Sequence, residues 1–310
     1  MSVNLRGRDI ISLHDLTREE IEQIVDLGAL LKLRRKAGDE PQPLKGKTLG
    51  MIFTKTSTRT RVSFEVAMFQ LGGHALYLGA NDLQLKLGET IADTARVLSR
   101  YLDGIMIRPF AHKDVTDLAQ HASIPVINGL TDLLHPCQIL ADLLTIKEKK
   151  GQFDGLKLAY VGDGNNVCHS LMFGASKVGI DMAIATPEGY EPDKDLTKLA
   201  MEDAKASGAS IEIGTDAFVA VDGADIIYTD TWASMGQEAE HAKRVKVMKP
   251  FQVNAKLVKA AKNDCLFMHC LPAHRGEEVT DEVADGPHSV IFDQAENRLH
   301  AQKAILALVM

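Results

Sequence analysis

The sequence predicts an α/β protein of two doubly wound, parallel-sheet domains with an active site in the cleft between them. Three observations carry that prediction. The chain has 310 residues, more than one typical core holds. Apolar β-type runs alternate with helical patterns along most of it, as in parallel α/β sheets. Side chains able to bind or react gather just after the strand candidates, where open parallel sheets bind ligands.

Thr17-Arg18-Glu19-Glu20 reads as a capping box, with Leu16 and Ile21 placed for a hydrophobic staple, so a helix is expected from about Arg18 to Lys36, stopping near Gly38. Ten strand candidates follow: Thr48–Phe53, Ala75–Leu78, Gly104–Ile107, Pro125–Ile127, Leu158–Val161, Met182–Ala185, Ser210–Ile213, Asp225–Thr229, Leu266–His269 and Ser289–Phe292. Most are continuously apolar, the pattern of strands covered on both faces. The run Lys147-Glu148-Lys149-Lys150-Gly151 is the expected domain boundary, giving two sheets of roughly 150 residues each. A last helix is expected over about Glu296–Leu308.

Composition narrows the function. The net charge of −7 lacks the basic footprint of a nucleic-acid binder, so any anion site must be a local pocket. No stretch approaches the ~18 apolar residues of a membrane span, and the N-terminal residues lack a secretory h-region. Cys137, Cys168, Cys265 and Cys270 form no CxxC pair and match no zinc spacing, which suits reduced thiols in a cytoplasmic protein.

The densest motif is Thr54-Lys55-Thr56-Ser57-Thr58-Arg59-Thr60-Arg61, between a strand and a helix. A helix N-terminus offers free N–H groups to an anion, and hydroxyls and arginine add charge-assisted contacts. Capping by Ser57 or Thr58 would explain one hydroxyl, not the cluster. Arg59 and Arg61 lie two apart and cannot share a helix face; Arg61 has Glu65 one turn on as a local partner. Val62, Val66 and Phe69 form an apolar stripe, and Gly72-Gly73 ends the helix.

Arg108-Pro109 follows the third strand candidate. In His135-Pro136-Cys137-Gln138, proline suits the first helical position, and His135 at the cap is disfavoured as an imidazolium. A neutral imidazole there can donate to a carbonyl oxygen; a capping histidine and a surface glutamine are the plainer alternative. Gly162-Asp163-Gly164-Asn165-Asn166-Val167 carries GxG but has valine at the third glycine position, so it reads as a tight turn presenting amides to a ligand. Asp230 with Ser234-Met235-Gly236 suits an ammonium and a carboxylate, although an Asx turn alone would explain it. Cys270 is either a buried inert thiol or a ligand-facing one able to exchange protons with an amine.

Together these motifs resemble the aspartate/ornithine transcarbamoylase family, and within it the ornithine branch, over essentially the whole chain. Ser57-Thr58-Arg59-Thr60-Arg61, Arg108-Pro109 and His135-Pro136-Cys137-Gln138 resemble its carbamoyl-phosphate site. The stretch from Asp230 to Gly236 and His269-Cys270-Leu271-Pro272 resemble the parts that mark the ornithine branch. The resemblance implies transfer of a carbamoyl group from carbamoyl phosphate to the side-chain amine of L-ornithine, giving L-citrulline and phosphate, in arginine biosynthesis or catabolism. It implies that Ser57, Thr58, Arg59, Thr60 and Arg108 hold the phosphate, with Cys270, Leu271 and Arg298 also on the carbamoyl-phosphate side. It gives His135, Thr60 and Arg108 the carbamoyl oxygen, Gln138 the carbamoyl NH₂, and Gln84 a reach into the adjacent subunit's site. Asn166, Asp230, Ser234 and Met235 would bind ornithine, with Cys270 and Asp230 near the reacting amine. Residues 1–150 would form the carbamoyl-phosphate-binding domain, with a terminal helix of about 295–310 packing back on it, and residues 151–294 the ornithine-binding domain. A homo-oligomer built on trimers is implied, with no metal, no organic cofactor, no nucleic acid and no membrane. Other acceptors such as putrescine or an acylated ornithine, a nicotinamide oxidoreductase and a non-catalytic binding protein are the competing readings.

Overall fold

The computed structural model describes residues 3–79, 83, 88–233 and 240–310. The chain divides into two compact units: residues 1–144 with 296–310, and residues 145–295. The boundaries fall inside helices, one between Leu144 and Thr145 and one between Ala295 and Glu296.

Unit 1 opens with α1 (Arg18–Lys36), and its N-terminus carries the capping box: Thr17 Oγ1 accepts the Glu20 N–H, and the Thr17 N–H donates to the Glu20 carboxylate at 2.9 Å. Then come β1 (Thr48–Phe53), α2 (Thr58–Gln70), β2 (His74–Gly79), α3 (Ile91–Leu98), β3 (Gly104–Arg108), α4 (His112–His121), β4 (Val126–Asn128) and α5 (Pro136–Lys150). The four strands pair in parallel in the order β2-β1-β3-β4. The chain leaves β1 toward β2 on one side and toward β3 on the other, so the reversal of strand order lies between β1 and β3. One face of this sheet packs Ile52, Ile105, Ile107 and Val126 against Ala95, Val115 and Leu118.

Unit 2 continues with β5 (Lys157–Val161), α6 (Asn166–Val178), β6 (Asp181–Ala185), α7 (Lys194–Ser207), β7 (Ile211–Gly214), α8 (Ala217–Val221) and β8 (Ile226–Thr229). After it come α9 (His241–Met248), α10 (Ala255–Val258), β9 (Leu266–His269), α11 (Asp281–Ala284) and the first residues of α12 (Ile291–Val309), whose remainder from Glu296 belongs to unit 1. Its five strands are also all parallel, in the order β7-β6-β5-β8-β9, and reverse between β5 and β8. Ala159, Val161, Ile227 and Phe267 anchor its core. In both units the crevice beyond the reversal is where an open α/β sheet takes a ligand.

Nine of the ten strand candidates are strands within a residue or two. The tenth is not. Ser289 makes only an isolated bridge to Phe267, and Ile291 and Phe292 open α12, which starts earlier than the sequence suggests. A short apolar run reads alike as a buried strand or as the first turn of a helix. Unbroken burial also fails at the edges: β2 and β7 are largely exposed because each has a neighbour on one side only. The α2 stripe is real but faces outward. Val62 and Phe69 are exposed, while Phe64, Ala67 and Met68 form the buried face.

The β5–α6 turn explains its glycines by packing. Gly164 donates its N–H to Tyr190 O, and a Cβ placed on it would lie 2.3 Å from Pro192 N and 2.5 Å from Glu191 C. Gly162 donates to Ala185 O with φ +144. The two glycine amides are therefore consumed by the protein and not offered to a ligand. The segment 190–192 occupies the space over Gly164 that a dinucleotide pyrophosphate would need. Gly164→Ala should therefore cost about 3 kcal/mol or more, since only backbone can yield. Gly151→Ala, with φ +80 and open space around it, should cost only about 1 kcal/mol. Urea unfolding of both variants at one protein concentration checks the contrast.

Candidate active site

In unit 1 the polar residues converge on one hydroxyl. Ser57 caps α2, its side chain accepting the Thr60 N–H at 3.3 Å. That cap sets the first helical turn and turns Thr60 inward, where it is buried. Arg108, the last residue of β3, donates Nη1–H to Thr60 Oγ1 at 3.2 Å, and Arg298 of α12 donates Nη2–H to the same oxygen at 3.3 Å. Arg298 also donates to Gln138 Oε1 at 2.7 Å, and Gln138 Nε2 donates to Asp142 at 2.8 Å. The Arg108 carbonyl accepts the Thr54 and Lys55 N–H groups, so β3 fixes the start of the hydroxyl-rich loop.

His135 precedes α5 and is buried. Burial holds its imidazole well below the usual histidine range, and the positive charges of Arg298, Arg108, Arg59 and Lys55 push it the same way. A neutral ring beside several cations is a hydrogen-bond donor without charge, suited to a carbonyl that must gain negative character. Thr58 and Arg59 are exposed and Ser57 half-buried. Arg61 pairs with Glu65 at 2.9 Å and stacks its guanidinium 3.9 Å from the Tyr77 ring centroid, which takes it out of this cluster. Arg108 and Arg298 bring two buried cations to one hydroxyl, with Asp142 reached through Gln138. Such an arrangement favours an anion.

Unit 2 gathers a second group around Asp230, just past β8. Asp230 Oδ1 accepts the Cys270 thiol at 2.9 Å, and Oδ2 accepts the Asn165 side-chain amide at 2.8 Å. Asn165 is the N-cap of α6, its oxygen taking the Val167 and Cys168 N–H groups. Its amide orientation is therefore set by the helix it caps. Asn166, which the resemblance places at the ornithine site, is the next residue along the chain. Asn166 is the first residue of α6.

His269 ends β9 and orders the next residues. Its Nδ1 accepts the Leu271 N–H at 2.9 Å, which leaves Nε2 to donate to Glu278 at 3.2 Å. Leu271 sits in the left-handed region at φ 58, a conformation a branched side chain adopts only where the surroundings hold it. Asp230, His269 and Cys270 are close enough to hold a metal ion. Both ring nitrogens of His269 are engaged, however, so an ion there would have to break one of those bonds.

Sequence reasoning missed Asp163 and Arg244 as well as Asn165. Arg244 of α9 pairs with Asp163 at 3.0 Å, donates to Trp232 O at 3.1 Å and pairs with Glu240 at 3.2 Å. One guanidinium thus ties both flanks of residues 233–239 to the β5–α6 turn. Burial raises the Asp163 carboxyl to about 6 and outweighs the lowering by Arg244. No motif marks a long-range arginine of this kind. Gln84, Ser234, Met235 and Gly236 lie outside the described residues.

Comparison with known proteins gives the family. Residues 8–148 match the family model described as aspartate/ornithine carbamoyltransferase, carbamoyl-P binding domain. Residues 154–309 match that of the Asp/Orn binding domain. The chain is 64% identical over 310 residues to the ornithine carbamoyltransferase of Pyrococcus horikoshii, covering all of this chain and 98% of that one. It is 63% identical to the ornithine carbamoyltransferase of Carboxydothermus hydrogenoformans, with both chains covered completely. The solved structure of ornithine carbamoyltransferase from Pyrococcus furiosus, 64% identical, superposes with a TM-score of 0.97 over 99% of this chain and 98% of that one. With both family models matched and full-length identity above 60%, the chain belongs to the aspartate/ornithine carbamoyltransferase family.

Proposed function

We propose that the protein transfers the carbamoyl group of carbamoyl phosphate to the δ-amine of L-ornithine, giving L-citrulline and phosphate. The observation that carries the reading is the state of Thr60. A hydroxyl has two acceptor sites and one proton. Arg108 and Arg298 fill the acceptor sites, so the proton is left to donate. A hydroxyl forced to donate, between two cations and beside a neutral imidazole, suits an oxyanion.

In this reading Ser57, Thr58, Arg59 and Thr60 hold the phosphate with Arg108, at the N-terminus of α2, where the helix dipole favours an anion. Thr60, Arg108 and His135 donate to the carbamoyl oxygen. The δ-amine attacks the carbamoyl carbon, the C–N bond forms, the oxygen takes charge, and the C–O bond to phosphate breaks. Gln138 accepts from the carbamoyl NH₂ with the lone pair that Arg298 leaves open. Cys270, Leu271 and Arg298 contribute on the carbamoyl-phosphate side. Asp230 holds the amino-acid substrate with Asn166, Ser234 and Met235, and with Asn165 as its fixed neighbour. Asp230 receives the Cys270 thiol, so the pair sits ready to exchange a proton with an amine.

Residues 1–150, with the terminal helix of about 295–310, act as the carbamoyl-phosphate-binding domain and residues 151–294 as the ornithine-binding domain. No metal or organic cofactor takes part. Among the described residues no helix is long and apolar enough to cross a membrane, and we place the protein in the cytoplasm. The working form is a homo-oligomer built on trimers. Exposed Val62 and Phe69 on α2 and Leu76 and Tyr77 on the edge strand β2 support it, since such apolar surface is normally covered. The family resemblance gives Gln84 a role at the neighbouring subunit's site.

Purified protein given ornithine and carbamoyl phosphate should make citrulline, and no product would overturn the reading; putrescine and an N-acylated ornithine should turn over far more slowly. Thr60→Val keeps the shape and removes the proton, and should lower kcat on the order of 10²-fold with intact folding. His135 should show a neutral ring by NMR, with no titration near the ordinary value of about 6.5. Its folded value lies below the unfolded one. Its stability contribution is therefore complete above about pH 6.5 and lost as pH falls toward the folded value. His135→Asn should flatten that part of the stability–pH curve. Light scattering on a sizing column should give three chains or a multiple of three, and Phe69→Glu should lower that mass.

A further inference from the structure

Unit 2 holds a cluster of metal-ligating side chains that carbamoyl transfer does not use. The turn after Cys270-Leu271-Pro272 places His274, Glu277 and Glu278 with one donor atom each inside a 4.8 Å envelope. His241, the first residue of α9, stands next to this group, its Nε2 3.1 Å from Glu277 Oε2. The two histidine rings stand 6.3 Å apart at 84°, edge to face. His274 Nδ1 is 3.7 Å from Glu278 Oε2, too far for a hydrogen bond.

Glu278 supplies the independent observation. Its side chain is completely buried, and Oε1 takes both the His269 ring N–H and the His274 backbone N–H. Oε2, equally buried, has no hydrogen-bond partner among the described residues. A buried carboxylate oxygen with no hydrogen bond, facing an imidazole and a second carboxylate, is suited to a cation. Tetrahedral zinc with nitrogen and oxygen ligands sets donor atoms about 3.3 Å apart. Two of the separations among these donors, 3.1 and 3.7 Å, bracket that value, and the donors of His274, Glu277 and Glu278 all lie within 4.8 Å of one another. The backbone is already held. Gly276 O accepts from Lys249 and Gln252, Glu277 O accepts from Gln252, and Gly276 N–H donates to Val279 O.

From this geometry we propose that His241, His274, Glu277 and Glu278 form a binding site for a divalent transition cation of the zinc type. Two imidazoles and two carboxylates suit zinc, cobalt or nickel rather than magnesium or calcium. The ion clips the start of α9 to the turn that follows Cys270-Leu271-Pro272. It thereby ties down the chain six residues beyond Met235.

Zinc or cobalt alone, titrated into the chelator-dialysed full-length protein, tests this. The expected result is one ion per chain and a cobalt spectrum without a thiolate charge-transfer band. Zinc should raise Tm in wild type. His274→Ala and Glu277→Gln should each weaken binding at least about tenfold, or about 1.4 kcal/mol, and abolish the Tm rise. Cys270→Ala should bind as wild type does. Binding that disappears in Cys270→Ala and persists in His274→Ala would move the ion to Asp230, His269 and Cys270 and overturn the proposal. So would the absence of saturable binding, or full-strength binding in both His274→Ala and Glu277→Gln.

Discussion

Two guanidinium groups share one threonine hydroxyl in unit 1, and much else in that unit follows from the need to hold them there. Removing an arginine from water costs several kcal/mol unless charge or strong hydrogen bonds compensate. Arg108 can be buried because β3 delivers it at a strand end, where its own carbonyl is already engaged by Thr54 and Lys55. Arg298 can be buried because α12, far away in sequence, carries it to Thr60 and Gln138, with Asp142 behind. An acidic chain can bind a doubly charged substrate by this means, because the positive potential is made locally from desolvated groups.

His135 is the counterpart of that field. Burial keeps the imidazole neutral, and the cations that would hold a phosphate push it the same way. In unit 2 the sign is reversed. Asp230 collects a thiol and an amide, and each donor is fixed by something else: Asn165 by capping α6, Cys270 by the His269–Leu271 hydrogen bond beside it. Both units place their reactive residues past the carboxyl ends of the strands that flank a reversal of strand order. The same topology thus yields a cation-rich crevice in one unit and a carboxylate-centred one in the other.

Much of this was legible in the sequence, and the exceptions have causes. Buried parallel strands are short apolar runs, so nine were visible; the tenth candidate failed because Val290-Ile291-Phe292 suits a helix start equally well. Arg61 was separated from Arg59 by helical spacing alone, and its pair with Glu65 is present. The capping box of α1 fixed its first turn for the same reason: the contacts that define it lie within four residues. The role of Asn165 is not legible, because sequence does not say which of two adjacent asparagines caps a helix. The outward turn of Val62 and Phe69 was also hidden, since periodicity finds an apolar face without telling whether the chain itself covers it.

Arg244 shows where such reading stops. It bonds Trp232 O, Asp163 and Glu240, partners set by the path of the backbone and not by any local pattern. A side chain of this kind carries no spacing signature, because its role is to join segments the fold has already brought together. Its energetic weight comes from burial: Asp163 lies in the same desolvated environment, and that burial raises its carboxyl in spite of the guanidinium beside it. The pair is thus poised, not locked. Through Arg244, Trp232 and Glu240 are thereby coupled to the protonation of Asp163.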